Sequence, residues 1–269
     1  MTSNRTANTD PDNDPQPLNL GLETDLADTP YFREGVLKAR GVMSTNGILA
    51  VDGVPGTGKT TCARYVAQTS SRPAALVRMS SDPKPLELLR RTHLAITGIH
   101  AGKRDTRFDL QQDLLPVLDQ WNGVLIVDEM QNSKVNAMQE LTWLYEESDH
   151  SFGLVVVGTG VLDAVMQYPQ LETRIMGEHT FQPLRGTDLI TAVRGLDLRF
   201  ADAPTTVLAE HNEAKCAGLL RRWVQTVRWL NTFEITETVT EDVLADVRAM
   251  LPTARTPKNK RNEASEAAA

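Results

Sequence analysis

Residues Val51–Thr61 read VDGVPGTGKTT, and Gly53 through Thr60 within them complete the spacing G-x-x-x-x-G-K-[ST]. The run Ile48–Asp52 (ILAVD) ahead of it reads as a strand, and the residues from Lys59 to about Thr69 read as a helix. A strand feeding a glycine-rich turn that opens a helix converges backbone N–H groups and the positive helix end on one point, which suits a polyphosphate. Gly53, Gly56 and Gly58 let the backbone wrap such a group without a Cβ clash. Val54, Pro55, Thr57 and Thr61 fill out the loop. Lys59 is expected to reach the β- and γ-phosphates and the Thr60 hydroxyl to ligate Mg²⁺, so ATP and magnesium are the expected cofactors.

Val124–Glu129 (VLIVDE) is an apolar run that ends in two adjacent carboxylates, the first of which, Asp128, stands 69 residues beyond Lys59. A strand buried on both faces ends in this way where the C-terminal edge of a parallel sheet opens onto a ligand. Asp128 is expected to hold the magnesium through water, and Glu129 to polarise an attacking water. Further strand-like runs at Ala74–Met79 and Leu154–Val157, with a short candidate at His179–Gln182, alternate with helical patterns. That alternation is the mark of an α/β fold, a parallel sheet sandwiched by helices. After Arg185 no strand run recurs, and Asp188–Phe200, Thr205–Ala217, Leu219–Thr232 and Glu241–Leu251 read as helices, a small all-α module. Breakers at Pro183–Gly186 place the boundary there. The expected organisation is an acidic arm over 1–30, an α/β nucleotide-binding domain over 31–185, the helical module over 186–251 and a basic tail over 252–269.

The 269 residues are 41% hydrophobic, 23% charged and 5% aromatic, the profile of an ordinary globular protein. No apolar run approaches the roughly 18 residues of a spanning helix, and the first residues lack the charged start and apolar stretch of a signal peptide, so a cytoplasmic location is expected. The net charge is −7, which disfavours coating nucleic acid by bulk charge. Residues 1–30 carry −5 of that, however, and leave −2 for the rest. Cys62 and Cys216 are far apart with no His or Cys at ligand spacing, so neither a disulfide framework nor a zinc site is indicated. The five histidines likewise show no metal spacing. Trp121, Trp143, Trp223 and Trp229 fall at helical positions and read as core or interface anchors.

These motifs resemble those of the AAA+ ATPases. The resemblance spans about Val36 to Leu251 and implies roles for further residues. Thr159, in VVVGTG, matches the polar residue near the γ-phosphate that the family calls sensor-1, and it also reads as an ordinary helix N-cap. Arg174, in YPQLETRI, matches the arginine finger that reaches a neighbouring subunit's nucleotide; a surface ion pair is the rival reading. Arg221, in CAGLLRRW, matches sensor-2 on the family's helical lid, with Arg222 in reserve. The segment IVDEMQN, GLVVVGTGVLDAVMQYPQLETRI and the later GLLRRWVQTVRWLNTFEITETVTEDVLADVRAML are similar to the transposition-regulator branch, the TnsC, TniB and MuB proteins. Lys84–Trp121 corresponds to the extra helical material that such proteins carry between the second and third strands.

That resemblance implies ATP-dependent self-association into a ring or helical filament on double-stranded DNA, which then recruits or activates a transposase. The loop Gly102–Arg107, with Lys103, Arg104 and Arg107 close together, is the candidate for touching phosphates. A solvated turn is the alternative, and no helix-turn-helix or zinc-finger pattern points to base-specific reading. Two other readings stay open. One is an ATPase of a secretion-type or other protein assembly without DNA binding; the other is an ATP-gated interaction switch with little hydrolysis.

Overall fold

In a computed structural model of the chain, residues 28–130 and 135–252 are described. Nearly all of the acidic arm and basic tail expected at the ends, and the pair Gln131–Asn132, lie outside them.

Five parallel strands form one sheet: β1 (Ile48–Gly53), β2 (Ala74–Arg78), β3 (Val124–Asp128), β4 (Gly153–Val157) and β5 (Ile175–Phe181), in the order β2-β3-β4-β1-β5. Every residue of β3 and β4 is buried, as their unbroken apolar runs require of strands covered on both faces. Helices α1 (Pro30–Met43) and α2 (Lys59–Thr69) cover one face, where Val36, Val42, Val51, Val66, Ile126 and Val157 pack. On the other face α3 (Pro85–Thr97), α4 (Arg107–Trp121), α5 (Val135–Glu147), α6 (Val161–Val165) and α7 (Pro169–Glu172) bury Leu88, Leu114, Leu125, Leu141 and Val156. The register sets Val51 opposite Val157 and Arg78 opposite Asp128, so Gly53, Arg78, Asp128 and the residues just past Val157 emerge at one edge.

At the opposite edge the Arg72 guanidinium binds the carbonyls of Met43, Asn122 and Gly123 together with the side chains of Asn46 and Asn122. That single side chain ties together the ends of α1 and α4 and the entries to β1 and β3.

Beyond β5 the chain is helical: α8 (Gly186–Leu196), α9 (Thr205–His211), α10 (Leu220–Thr232) and α11 (Glu241–Met250). They enclose their own apolar cluster around Phe200, Leu208, Trp223, Leu230 and Leu244. Tyr31 of α1 packs on that cluster, and among the described residues two backbone hydrogen bonds attach these helices to the sheet region. Leu184 N–H donates to Gly218 O at 2.9 Å, and Arg221 N–H donates to Gly56 O at 3.1 Å.

Several boundaries differ from the sequence reading. The first turn of α1 starts inside the expected arm: Thr29 is buried and its hydroxyl accepts from Phe32 N–H, while Pro30 takes the first helical position, where its missing donor costs nothing. Strand β5 begins at Ile175, earlier than His179, because it pairs along the whole of β1. The helix expected over Asp188–Phe200 breaks at Asp197, whose carboxylate accepts from Arg199 N–H and starts a short 3₁₀ turn. The one expected over Thr205–Ala217 leaves α geometry after His211, passes through a π turn over Asn212–Cys216 and ends at left-handed Ala217.

Candidate nucleotide site

The sheet's C-terminal edge opens into a cavity of about 360 Å³ lined by Thr29, Phe32, residues 55–61, Asp128, Glu129, Gly158, Thr159, Phe181, Leu196, Leu220, Arg221 and Val224. The loop before α2 folds as a cradle. Gly53, Gly56 and Gly58 have φ of 138°, 91° and 111°, a region where side chains are strained. At Gly53 a Cβ would also stand 2.4 Å from the Phe181 carbonyl oxygen, and at Gly56 it would press on the Arg221 Cβ at 3.2 Å.

Lys59 opens α2 and is buried, with Nζ 2.5 Å from Gly53 O, 3.0 Å from Val54 O and 3.3 Å from Thr159 Oγ1. Burial holds its ammonium below the usual lysine range, against the pull of the Asp52, Asp128 and Glu129 carboxylates. The Thr159 hydroxyl also donates to Gly53 O at 3.0 Å. The N-cap of α6 is Gly160, so the capping reading of Thr159 gives way to a link with the cradle.

Asp128 is buried and accepts from Glu129 N–H at 2.9 Å. Burial raises its carboxyl above the usual range, while hydrogen bonds from Thr60 and from the Glu129 backbone oppose that shift. Glu129 takes a left-handed φ of 65°, and its carboxylate lies 3.3 Å from the Arg78 guanidinium. Two residues missed in the sequence reading thus shape the site. Asp52 accepts from Gly53, Gly160 and Leu162 N–H at 2.5, 2.8 and 3.2 Å, tying the cradle to the segment after β4. Arg78 reaches Glu129 only because β2 and β3 pair in this register.

The donors suit magnesium. Thr60 and Asp128 are hard oxygen groups that both line the cavity at the cradle. A cation that keeps most of its shell as water and phosphate oxygen needs only one or two such protein groups. Among the described residues no group of three or more His, Cys, Asp or Glu gathers for a metal. Cys62 and Cys216 are both buried free thiols.

Arg221 lines the cavity, whereas the Arg222 guanidinium turns away to the carbonyls of Lys215 and Pro252. Arg174 stands outside. It precedes Ile175, which pairs with Ile48 at the far end of β1, and it forms an ion pair with Glu146 at 3.1 Å. Lys103 and Arg104 are exposed on a loop whose carbonyls are braced by Arg90. Arg107 departs from that pattern: its Nε sits 2.6 Å from the fully buried Glu140 carboxylate, which also accepts from Gln111. A buried carboxylate needs such partners, so Arg107 anchors α4 to α5.

Residues 41–166 match the family model of the AAA domain. The fold is that of a P-loop AAA+ core. Among solved structures, the Aeropyrum pernix ORC2 protein in its ADPNP-ADP complexes superposes with a TM-score of 0.65 at 14% identity over 87% of this chain and 71% of that one. The ORC1 protein of the same organism, in complex with DNA, gives 0.58 at 16% over 84% and 66%. The Thermotoga maritima RuvB Holliday junction branch migration motor gives 0.52 at 13% over 81% and 69%. No curated protein matches the chain. Among the described residues no helix is long and apolar enough to cross a membrane.

Proposed function

We propose that this chain binds and hydrolyses Mg–ATP, assembles head to tail on double-stranded DNA when ATP is bound, and regulates transposition by engaging a transposase. The observation that carries the reading is the joint placement of Lys59, Thr60, Asp128, Glu129 and Thr159 around one cradle. In it Lys59 and the loop N–H groups bind the β- and γ-phosphates, and Thr60 and Asp128 hold magnesium, whose charge would offset that of the phosphates. Glu129 orients and polarises the attacking water, Thr159 senses the γ-phosphate and Arg221 reads it from the helical lid. Away from the cradle the described lining is apolar, with Phe32, Leu196, Leu220 and Val224, which suits the base.

Arg174, turned away from its own cradle, is the finger for a neighbour's nucleotide. Such a contact repeats one surface against a different one, and so generates rings or helices. Lys103 and Arg104 supply phosphate contacts that repetition multiplies, beside Phe108 and Ile99, which are 66% and 64% exposed at the same tip. Support for DNA comes from the ORC1 neighbour solved with DNA. Support for transposition is the resemblance of the segments around Asp128, Thr159 and Arg174.

Fluorescence anisotropy of a labelled random-sequence duplex, at two salt concentrations with Mg–ATP, Mg–ADP or no nucleotide, tests this. Cooperative, salt-dependent binding in the ATP state alone, lost in Lys59→Ala, is expected. Absence of DNA binding in every nucleotide state overturns the DNA and transposition parts. Unchanged ATP affinity in Lys59→Ala overturns the cradle.

A further inference from the structure

A second concavity, of about 320 Å³, lies on the C-terminal helices between the end of α10 and α11, lined by Phe233, Ile235, Val243, Asp246, Ala249 and Met250. Leu220, at the cradle, opens α10, and Phe233, in this groove, directly follows its last residue, so about 20 Å of helix separates the two and occupancy of one site leaves the other open. Five of the six lining side chains are apolar, and Met250 is 50% exposed. Acids frame the groove. Asp246 is part of its wall, Glu234 stands exposed between Phe233 and Ile235, and Asp242 lies exposed one turn before Asp246. Among the described residues the lining holds no lysine or arginine, and Arg248, the cation of α11, is paired with Glu241.

We infer that this groove docks a basic segment of a partner protein that carries one large apolar side chain. The apolar floor takes the anchor, and the carboxylates select its charged neighbours and repel acidic ones. The chain's own ends do not fit that description. Residues 253–269 supply Arg255, Lys258, Lys260 and Arg261, yet apart from Pro257 they hold no apolar side chain larger than alanine. Residues 1–27 offer Leu18, Leu20, Leu22 and Leu26 but bear five carboxylates against one arginine.

The test uses the full chain and three short synthetic peptides: one rich in lysine with a central phenylalanine, the same peptide with serine at the centre, and a glutamate-rich counterpart of the first. Methionine methyl NMR reads the groove directly, with the Met250 signal assigned through Met250→Leu. The lysine–phenylalanine peptide should move that signal, bind more weakly as salt rises, and lose about tenfold in affinity to the Asp242→Lys/Asp246→Lys double variant. Ala249→Lys, at an exposed lining position, sets a like charge against the peptide and should weaken its binding too, a second variant should the double one fail to fold. Glu172→Lys, on α7, should change nothing. A Met250 signal unmoved at millimolar peptide, equal binding of the serine peptide, or affinity indifferent to the variants overturns the inference. A Met250 shift that follows protein concentration without peptide assigns the groove to a second copy and overturns it as well.

Discussion

Glu129 and Arg78 come from different strands and meet because the register of β2 and β3 sets Arg78 opposite Asp128. The left-handed backbone at Glu129 turns its side chain out of the strand direction, and a strained φ of this kind persists where the surroundings hold it. Glu129→Gln keeps the shape and the backbone bond to Asp128 while removing the charge. ATP affinity should therefore remain within a few-fold of wild type while turnover falls by about a hundredfold or more, the usual contribution of a positioned base. A steady-state phosphate-release assay beside equilibrium nucleotide binding checks this, and normal turnover removes Glu129 from the chemistry. At this scale the cradle was legible in the sequence because Gly53, Lys59, Thr60, Asp128 and Glu129 are bound to fixed local spacings. Asp52 and Arg78 were not, since an Asp or Arg ending a strand means nothing until the pairing says what lies beside it.

Elements were read well where period and burial agree, as in β3 and β4, and poorly where a single side chain ends or starts a helix. Asp197 breaks α8 from its continuation by capping the next turn, and Thr29 with Pro30 starts α1 at the edge of a polar segment. In the C-terminal helices His211 is fully buried at the end of α9, with Nε2 2.9 Å from the Thr226 hydroxyl and the ring against Trp223. Burial, and then the charges of Arg248 and Lys215, push its pKa down to about 4. The sign follows from linkage. Above pH 6.5 the ring is neutral folded or unfolded; between 6.5 and 4 the unfolded chain takes a proton that the folded chain refuses, so stability falls as pH falls. The loss across that window is about 3 kcal/mol, an order-of-magnitude figure. His211→Asn should flatten the dependence of Tm on pH over this range, followed by circular dichroism. An identical slope in the variant shows that another group carries the acid sensitivity.

For the molecule as a whole, the parallel sheet gathers distant segments at one edge, and the alternation of strand and helix made that architecture readable. Assembly is less legible in one chain. What bears on the proposed assembly is a displacement: Arg174 lies at the far end of β1 from the cradle, partly exposed and paired with Glu146. If it acts on a neighbour, Arg174→Ala and Lys59→Ala should each be inactive alone, yet an equal mixture should recover about a quarter of the sites, those combining an intact cradle with an intact finger. An ATPase assay of the mixture checks this, and no recovery rules out action between subunits. DNA belongs to the same scale. Charge reversal at Lys103 and Arg104 should weaken duplex binding and lower its salt slope by up to about two, because each cation releases one counterion. Arg107→Ala, by contrast, should lower thermal stability by stranding the buried Glu140 carboxylate. The C-terminal helices meet the sheet region through Tyr31, which packs on their apolar cluster, and, among the described residues, through two backbone bonds, one at Gly218 beside the linker and one at Gly56 on the cradle. The first sits where the chain crosses over, and the second sits on the loop that a ligand must displace or grip. Should the second bond release while the first holds, the helices would turn about Gly218 as a door turns on its hinge. Labels on Leu198, 90% exposed, and on the sheet domain should trace a single arc whose end is set by whether Gly56 holds Arg221.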